Sequence, residues 1–194
     1  MNQKLTTILI LGTAVSLAGY FYFDSRGTTL SDFQPTFGKD VMAARFDELS
    51  KSGNSSCNAT FKDSIAVMSD DARLQGSCCS PMDWHRYQEQ VEGLKKFSHI
   101  PDIPADPYDV EVALAKKLIV YYDTELTSQQ QKEYDYAMEH SHEKGPCCCK
   151  CWRWYVYGGL GKLLIQQYGF TGEQVTDIWN LSDGCGGAGD HASH

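Results

Sequence analysis

The chain has 194 residues, a formal net charge of -8 and 42% apolar residues. That suits one domain with a buried core and at most a small extension. The acidic balance, with no long Lys/Arg cluster anywhere, argues against a nucleic-acid partner, because phosphate binding needs a basic surface.

The N-terminus carries a targeting signal. Lys4 is followed by LTTILILGTAVSLAGYFYF, residues 5–23, which holds no charge before Asp24. A run of this length spans a hydrocarbon core of about 30 Å as a helix. A long signal peptide is the alternative. Residues 1–23 are therefore expected to be a transmembrane anchor or signal peptide. The anchor is favoured because the run ends in aromatic rather than small residues. SLAGY has the outline of a lipoprotein cleavage site, but Tyr20 stands where the lipidated cysteine is required. Lys4 orients the N-terminus inward and the domain outward, periplasmic or extracellular.

Residues 24–30 read as a linker, 31–183 as a helical cysteine-rich domain and 184–194 as a flexible Gly/His tail. Within the domain the apolar spacing is helical almost throughout. Val41, Ala44 and Leu49 share a face in 38–51, and Phe61, Ile65 and Met68 do so in 59–72. Pro81 opens a stronger segment, 81–97, with Trp84, Tyr87, Val91 and Leu94 at spacings of three and four. SHIPDIPADP, 98–107, contains three prolines and is expected to be an extended connector. A helix over 109–123 follows. Thr127 with Gln130 forms a capping-box signal for a helix over 128–142, and Thr171 with Gln174 forms another for a last helix through Asn180. Between them Gly145-Pro146 breaks one helix and starts the next, 147–168, which ends at Gly169. Gly158, Gly159 and Gly161 in its middle predict a close contact, since each costs about 1 kcal/mol relative to Ala. Strand signals are thin. The expected fold class is all-α, a compact domain of five to seven helices behind the N-terminal segment.

The chemistry lies in the cysteines. There are eight, an even number that permits full disulfide pairing. Their spacing disfavours it, because Cys147, Cys148 and Cys149 are consecutive and a vicinal disulfide strains the peptide between its residues. If 147–151 starts a helix, Cys147 and Cys148 both neighbour Cys151, and Cys149 points elsewhere. Free N–H groups at such a start favour thiolate. CCSPMDWH, 78–85, repeats the layout with Cys78, Cys79 and a second helix start. If the two starts meet, their sulfurs converge, and Cys185 in SDGCGG can close over them.

Such a sulfur-rich set selects a thiophilic ion, Cu(I) or Zn(II). The expected ligands are Cys78, Cys79, Cys147, Cys148, Cys149, Cys151 and Cys185, with Cys57 either a ligand or a structural partner. Met82, His85, His140 and His142 are secondary candidates. Two other readings stand beside this one. The first is a thiol–disulfide oxidoreductase using Cys148 and Cys151, although no βαβ pattern precedes that CxxC. The second is a disulfide-stapled interaction module. No phosphate-binding loop, GxSxG, HExxH or CxxCH motif occurs. The arrangement resembles, in outline only, extracytoplasmic copper-handling helical proteins with inward cysteines, and no residue is carried over from them. The expected function is capture, storage or delivery of a metal rather than enzymatic turnover. The expected partners are the ion, the membrane through the N-terminal segment, and a metal-transport or membrane-complex protein.

Overall fold

The computed structural model describes residues 37–53, 57–58 and 60–186. The expected anchor at 1–23 and the linker at 24–30 lie outside the described residues. Among those described, no helix is long and apolar enough to cross a membrane.

The described chain is mostly helical. Its elements are α1 (Phe37–Lys51), α2 (Phe61–Val67), β1 (Arg73–Gln75), α3 (Trp84–Leu94) with a 3-10 turn at Lys95–Phe97, β2 (Asp109–Glu111), α4 (Val112–Tyr122), α5 (Ser128–His140), α6 (Trp152–Tyr168) and α7 (Gly172–Ser182). Seven α-helices among the described residues match the expected number. Both capping boxes form: Thr127 and Thr171 each accept from the backbone of the glutamine three residues on, and each glutamine reaches back. Gly169 ends α6 in the left-handed conformation, with φ at 67°.

The all-α expectation needs one correction. β1 and β2 pair antiparallel, with Leu74 opposite Val110, both fully buried. Three residues per strand are too few for an alternating pattern to be read in sequence. The same strand takes the first three residues of the helix expected over 109–123. Side chains at the pair's edge hold it closed. Asp109 accepts from Arg45 and from Arg73 Nε, the latter at 2.6 Å, and Arg73 also reaches Glu111.

These contacts give a pH-dependent contribution of known sign. Burial alone raises the Asp109 carboxyl, but Arg73 and Arg45 outweigh it and hold it below 3.8, its ordinary value. A depressed carboxyl contributes stability that is complete above the unfolded value and is lost as pH falls through the folded one. Asp109→Asn is expected to lower the urea midpoint at pH 7. The gap to the parent is expected to close below about pH 3.8. A gap that is the same at pH 7 and at pH 3 would assign the loss to packing instead.

α6 is the central helix. Its residues from Trp152 to Ile165 are nearly all buried, so it shows apolar character on every side. It packs most extensively against α4, while α5 packs on α7. The α4 contact explains Gly158 and Gly159. A Cβ on Gly159 would lie 1.8 Å from the Leu118 carbonyl oxygen, so the two backbones touch where only glycine fits. Gly161 makes similar room for the Trp179 ring.

Two further helix starts differ from expectation, and both matter for the cysteines. α3 begins at Trp84 instead of Pro81, because Asp83 takes the N-cap and accepts from Arg86 N at 2.9 Å. α6 begins at Trp152 with Cys151 as its N-cap. Residues 145–151 are a non-helical loop, set up by positive φ at Lys144 (52°) and Gly145 (149°). Both cysteine runs therefore lie in loops that lead into helices.

Candidate metal centre

Four separate stretches of chain supply the thiols. Cys57 comes from the α1–α2 connection, and Cys78 and Cys79 from the β1–α3 loop. Cys147, Cys148, Cys149 and Cys151 come from the α5–α6 loop, and Cys185 follows α7. All eight are free thiols.

Local structure fixes each stretch. In the α5–α6 loop, Gly145 N donates to Ser141 Oγ at 2.8 Å, and that hydroxyl donates to Gly145 O at 3.1 Å. A side chain at Gly145 would meet the Trp154 ring at 2.7 Å. Trp154 in turn donates to the Tyr122 hydroxyl on α4 at 3.0 Å, which locks the loop's exit. The chain after α7 is tied to the β1–α3 loop as a strap. Cys78 N donates to Gly184 O at 3.2 Å, and Ser80 donates to Cys185 O through N (2.8 Å) and Oγ (2.9 Å). Asp183 accepts from Cys185 N at 3.0 Å. Gly186 has φ of 89° and passes so close to Ser80 O that a Cβ would lie 2.0 Å from it.

The sulfurs form one connected network. Cys57 Sγ is 2.9 Å from Cys149 and 3.3 Å from Cys79. Cys79 is 3.8 Å from Cys78 and 3.9 Å from Cys148. Cys148 is 2.8 Å from Cys185. Cys147 is 3.6 Å from Cys185 and 3.8 Å from Cys151. Five triads have ligand atoms within 4.8 Å of one another: Cys57–Cys78–Cys151, Cys57–Cys79–Cys149, Cys78–Cys79–Cys185, Cys147–Cys149–Cys151 and Cys147–Cys148–Cys185. Each is made of cysteine alone.

The electrostatics are uneven. Cys78 is held far below the ordinary thiol range, chiefly by hydrogen bonding from Cys147, then from Cys151 and Cys185. The charge of Arg153 acts in the same direction, and burial opposes it. Cys147 moves the opposite way, since it hydrogen-bonds to Cys151, Cys185 and Cys78 and lies deep in the fold. Cys57, on the rim, is pushed up to about 11, first by its contact with Cys149 and then by partial burial.

Arg153 is fully buried at 0% exposure. It donates to Pro107 O at 2.6 Å and to Gly76 O at 3.0 Å, both backbone carbonyls. Its guanidinium carbon lies 4.6 Å from the centre of the Trp152 ring. Burial disfavours its charge, while Tyr157, Cys78, Cys147 and Tyr108 favour it and keep it protonated. Gly184 leaves it room: a Cβ there would lie 2.1 Å from Arg153 Nη1. The charge of Arg153 thus acts on the buried side of the network, at Cys78 and Cys147.

All seven cysteines expected as ligands lie in this network, and Cys57 joins them. Cys149, expected to face away, does not: leaving the helix frees it to meet Cys57. Cys148 and Cys151, the CxxC pair, share none of the five triads. No described histidine belongs to one either. His140 stacks on Tyr136 with ring centres 3.9 Å apart, and Met82 is buried beside Leu49, Tyr87 and Tyr108. Arg153 was legible in sequence only as a charge inside an apolar run. No family model, curated protein or solved structure matches the chain.

Proposed function

We propose that this chain binds thiophilic metal ions of the copper or zinc class through its clustered cysteines, for capture, storage or delivery. One observation carries the reading. Four distant stretches bring eight free thiols into one contact network that contains no other ligand type among the described residues. Soft sulfur donors select this class of ion. A thiol cluster of this density is hard to explain as packing, because buried structural cysteines behave as isolated small apolar groups.

The two rivals have less support. A stapled module needs cysteines in separated pairs, whereas here each sulfur has several sulfur neighbours. An exchange-active CxxC needs its two sulfurs together, and Cys148 and Cys151 occupy different triads. The charge-free run at 5–23 supports an anchored, extracytoplasmic setting, which suits uptake or hand-over to a membrane partner.

The test uses the full chain purified without oxygen. Free thiols are counted with and without denaturant, and bound metals are measured on the same sample. The expected result is stoichiometric copper or zinc, with thiols that react only after chelation or unfolding. No metal and eight oxidised cysteines would leave the stapled module. No metal and one pair that cycles between oxidised and reduced forms would leave the redox reading.

A further inference from the structure

Seven of the eight cysteines belong to two triads each, and Cys148 belongs to one. This sharing has a direct chemical meaning. An ion in one triad has a sulfur in common with an ion in the next. Neighbouring triads are filled together only if the common thiolate bridges two ions, which its spare lone pairs permit. A site built for one ion has no use for such overlap. A tetrahedral thiolate centre needs four sulfurs and gains nothing from four more in contact with them.

The spacing agrees. A tetrahedron with metal–sulfur bonds of about 2.3 Å has sulfur–sulfur edges of about 3.8 Å. Four of the observed separations, Cys147–Cys185, Cys147–Cys151, Cys78–Cys79 and Cys79–Cys148, run from 3.6 to 3.9 Å. Those edges need no rearrangement to accept ions. Three others, Cys57–Cys149 at 2.9 Å, Cys57–Cys79 at 3.3 Å and Cys148–Cys185 at 2.8 Å, must open. Each of those pairs includes an exposed cysteine, so opening disturbs little of the core.

The network also has two depths. Cys147 and Cys151 are 1% and 2% exposed, and Cys78 and Cys185 are half-buried against them. Cys57, Cys79 and Cys148 are exposed, and half-buried Cys149 joins them. Cys57–Cys79–Cys149 lies wholly in the outer half, and each of the other four triads joins cysteines of both halves. Arg153 lies by the inner half, where Cys78 and Cys147 contribute to its charge balance. Several thiolates around few cations leave a net negative cluster, and a buried cation offsets that charge where water cannot.

We propose that the eight thiols hold a polynuclear metal–thiolate cluster with shared sulfurs, filled from a buried retaining half outward to an exposed exchanging half. This rests on the metal-binding reading above. Each thiol loses its one proton to solvent as its first metal–sulfur bond forms, and a bridging sulfur makes its second bond with a lone pair of the thiolate. The ions enter in the oxidation state they keep, so no electron is transferred.

The experiment titrates the reduced full chain with Cu(I), and in a parallel arm with Zn(II), without oxygen. Native mass spectrometry counts ions, and part-loaded samples are alkylated and mapped. The expected result in at least one arm is more than one ion per chain and protection of all eight thiols at saturation. In part-loaded chains Cys57, Cys79, Cys148 and Cys149 should label about tenfold faster than the inner four, as accessible thiols do. Cys79→Ser should lose outer ions and retain the protection of Cys147 and Cys151, with which Cys79 shares no triad. One ion per chain, with several thiols still labelled at saturation, would overturn the polynuclear cluster and leave metal binding standing. No bound ion in either arm would overturn both. Several ions with equal labelling of the two halves would overturn the inside-out order.

Discussion

Replacing Arg153 by methionine is expected to weaken metal binding about tenfold, because its charge favours ionised Cys78 and Cys147 without bonding to either sulfur. The substitution keeps most of the volume and removes the charge. Two opposed effects act on the metal-free chain. Loss of a buried guanidinium relieves a desolvation cost. It also strips the donors from Pro107 O and Gly76 O, which Arg153 holds at 2.6 and 3.0 Å. The Pro107 acceptor left unpaired costs about 1–3 kcal/mol, so a net loss of about 2 kcal/mol is expected. Arg153→Lys separates the contributions. It keeps a cation beside Cys78 and Cys147 but cannot reproduce the planar fork across two carbonyls. Lysine should therefore recover much of the metal affinity and little of the stability. The measurements are competition against a chromophoric chelator and a urea midpoint. Unchanged affinity in a folded Arg153→Met chain would remove the counter-charge role.

Gly159→Ala is expected to be the most damaging single-carbon change in the domain. The new Cβ would lie 1.8 Å from Leu118 O and 2.8 Å from Leu118 C. Both are backbone atoms in the middle of α4, so no side chain can rotate away. α4 and α6 must separate, which opens the most extensive helix contact in the fold. Overpacking of this severity costs about 3 kcal/mol or more. For a chain of this size that lowers the melting temperature by roughly 10 °C. Gly38→Ala is the control, since nothing lies within 4 Å of a Cβ there. An equal response in the two variants would show that helix separation is not the cause.

How much of this was legible in the sequence depends on the range of the interaction. Helices α5 and α7 were readable because Thr127–Gln130 and Thr171–Gln174 are local capping signals, complete within four residues. The tight approach at Gly159 was readable because glycine inside a helix carries a cost that something must offset. β1 and β2 were not, because each is three residues long and exists only through its partner. The start of α6 was misplaced because Gly145-Pro146 marks a break without showing how long the non-helical stretch runs. The cysteine runs pointed to a shared site, but the place of Cys57 depends on how α1 and α2 are joined, which periodicity does not report. Arg153 was the hardest to read. Its two acceptors, Gly76 and Pro107, come from loops far away in the chain, and no local pattern links them to α6.

The strap that brings Cys185 against Ser80 has a consequence for how the protein is made. Cys57 leaves the ribosome first and Cys185 last, with nearly the whole domain between them. At about 5–20 residues per second the delay is on the order of ten seconds. Throughout that interval the early cysteines are on an incomplete chain, without the neighbours that later surround them. A soft ion that arrives then meets a partial site and can fix the wrong sulfurs together. On the metal-binding proposal, loading therefore belongs after synthesis, and the last thiol to emerge is the one that completes the cysteine network.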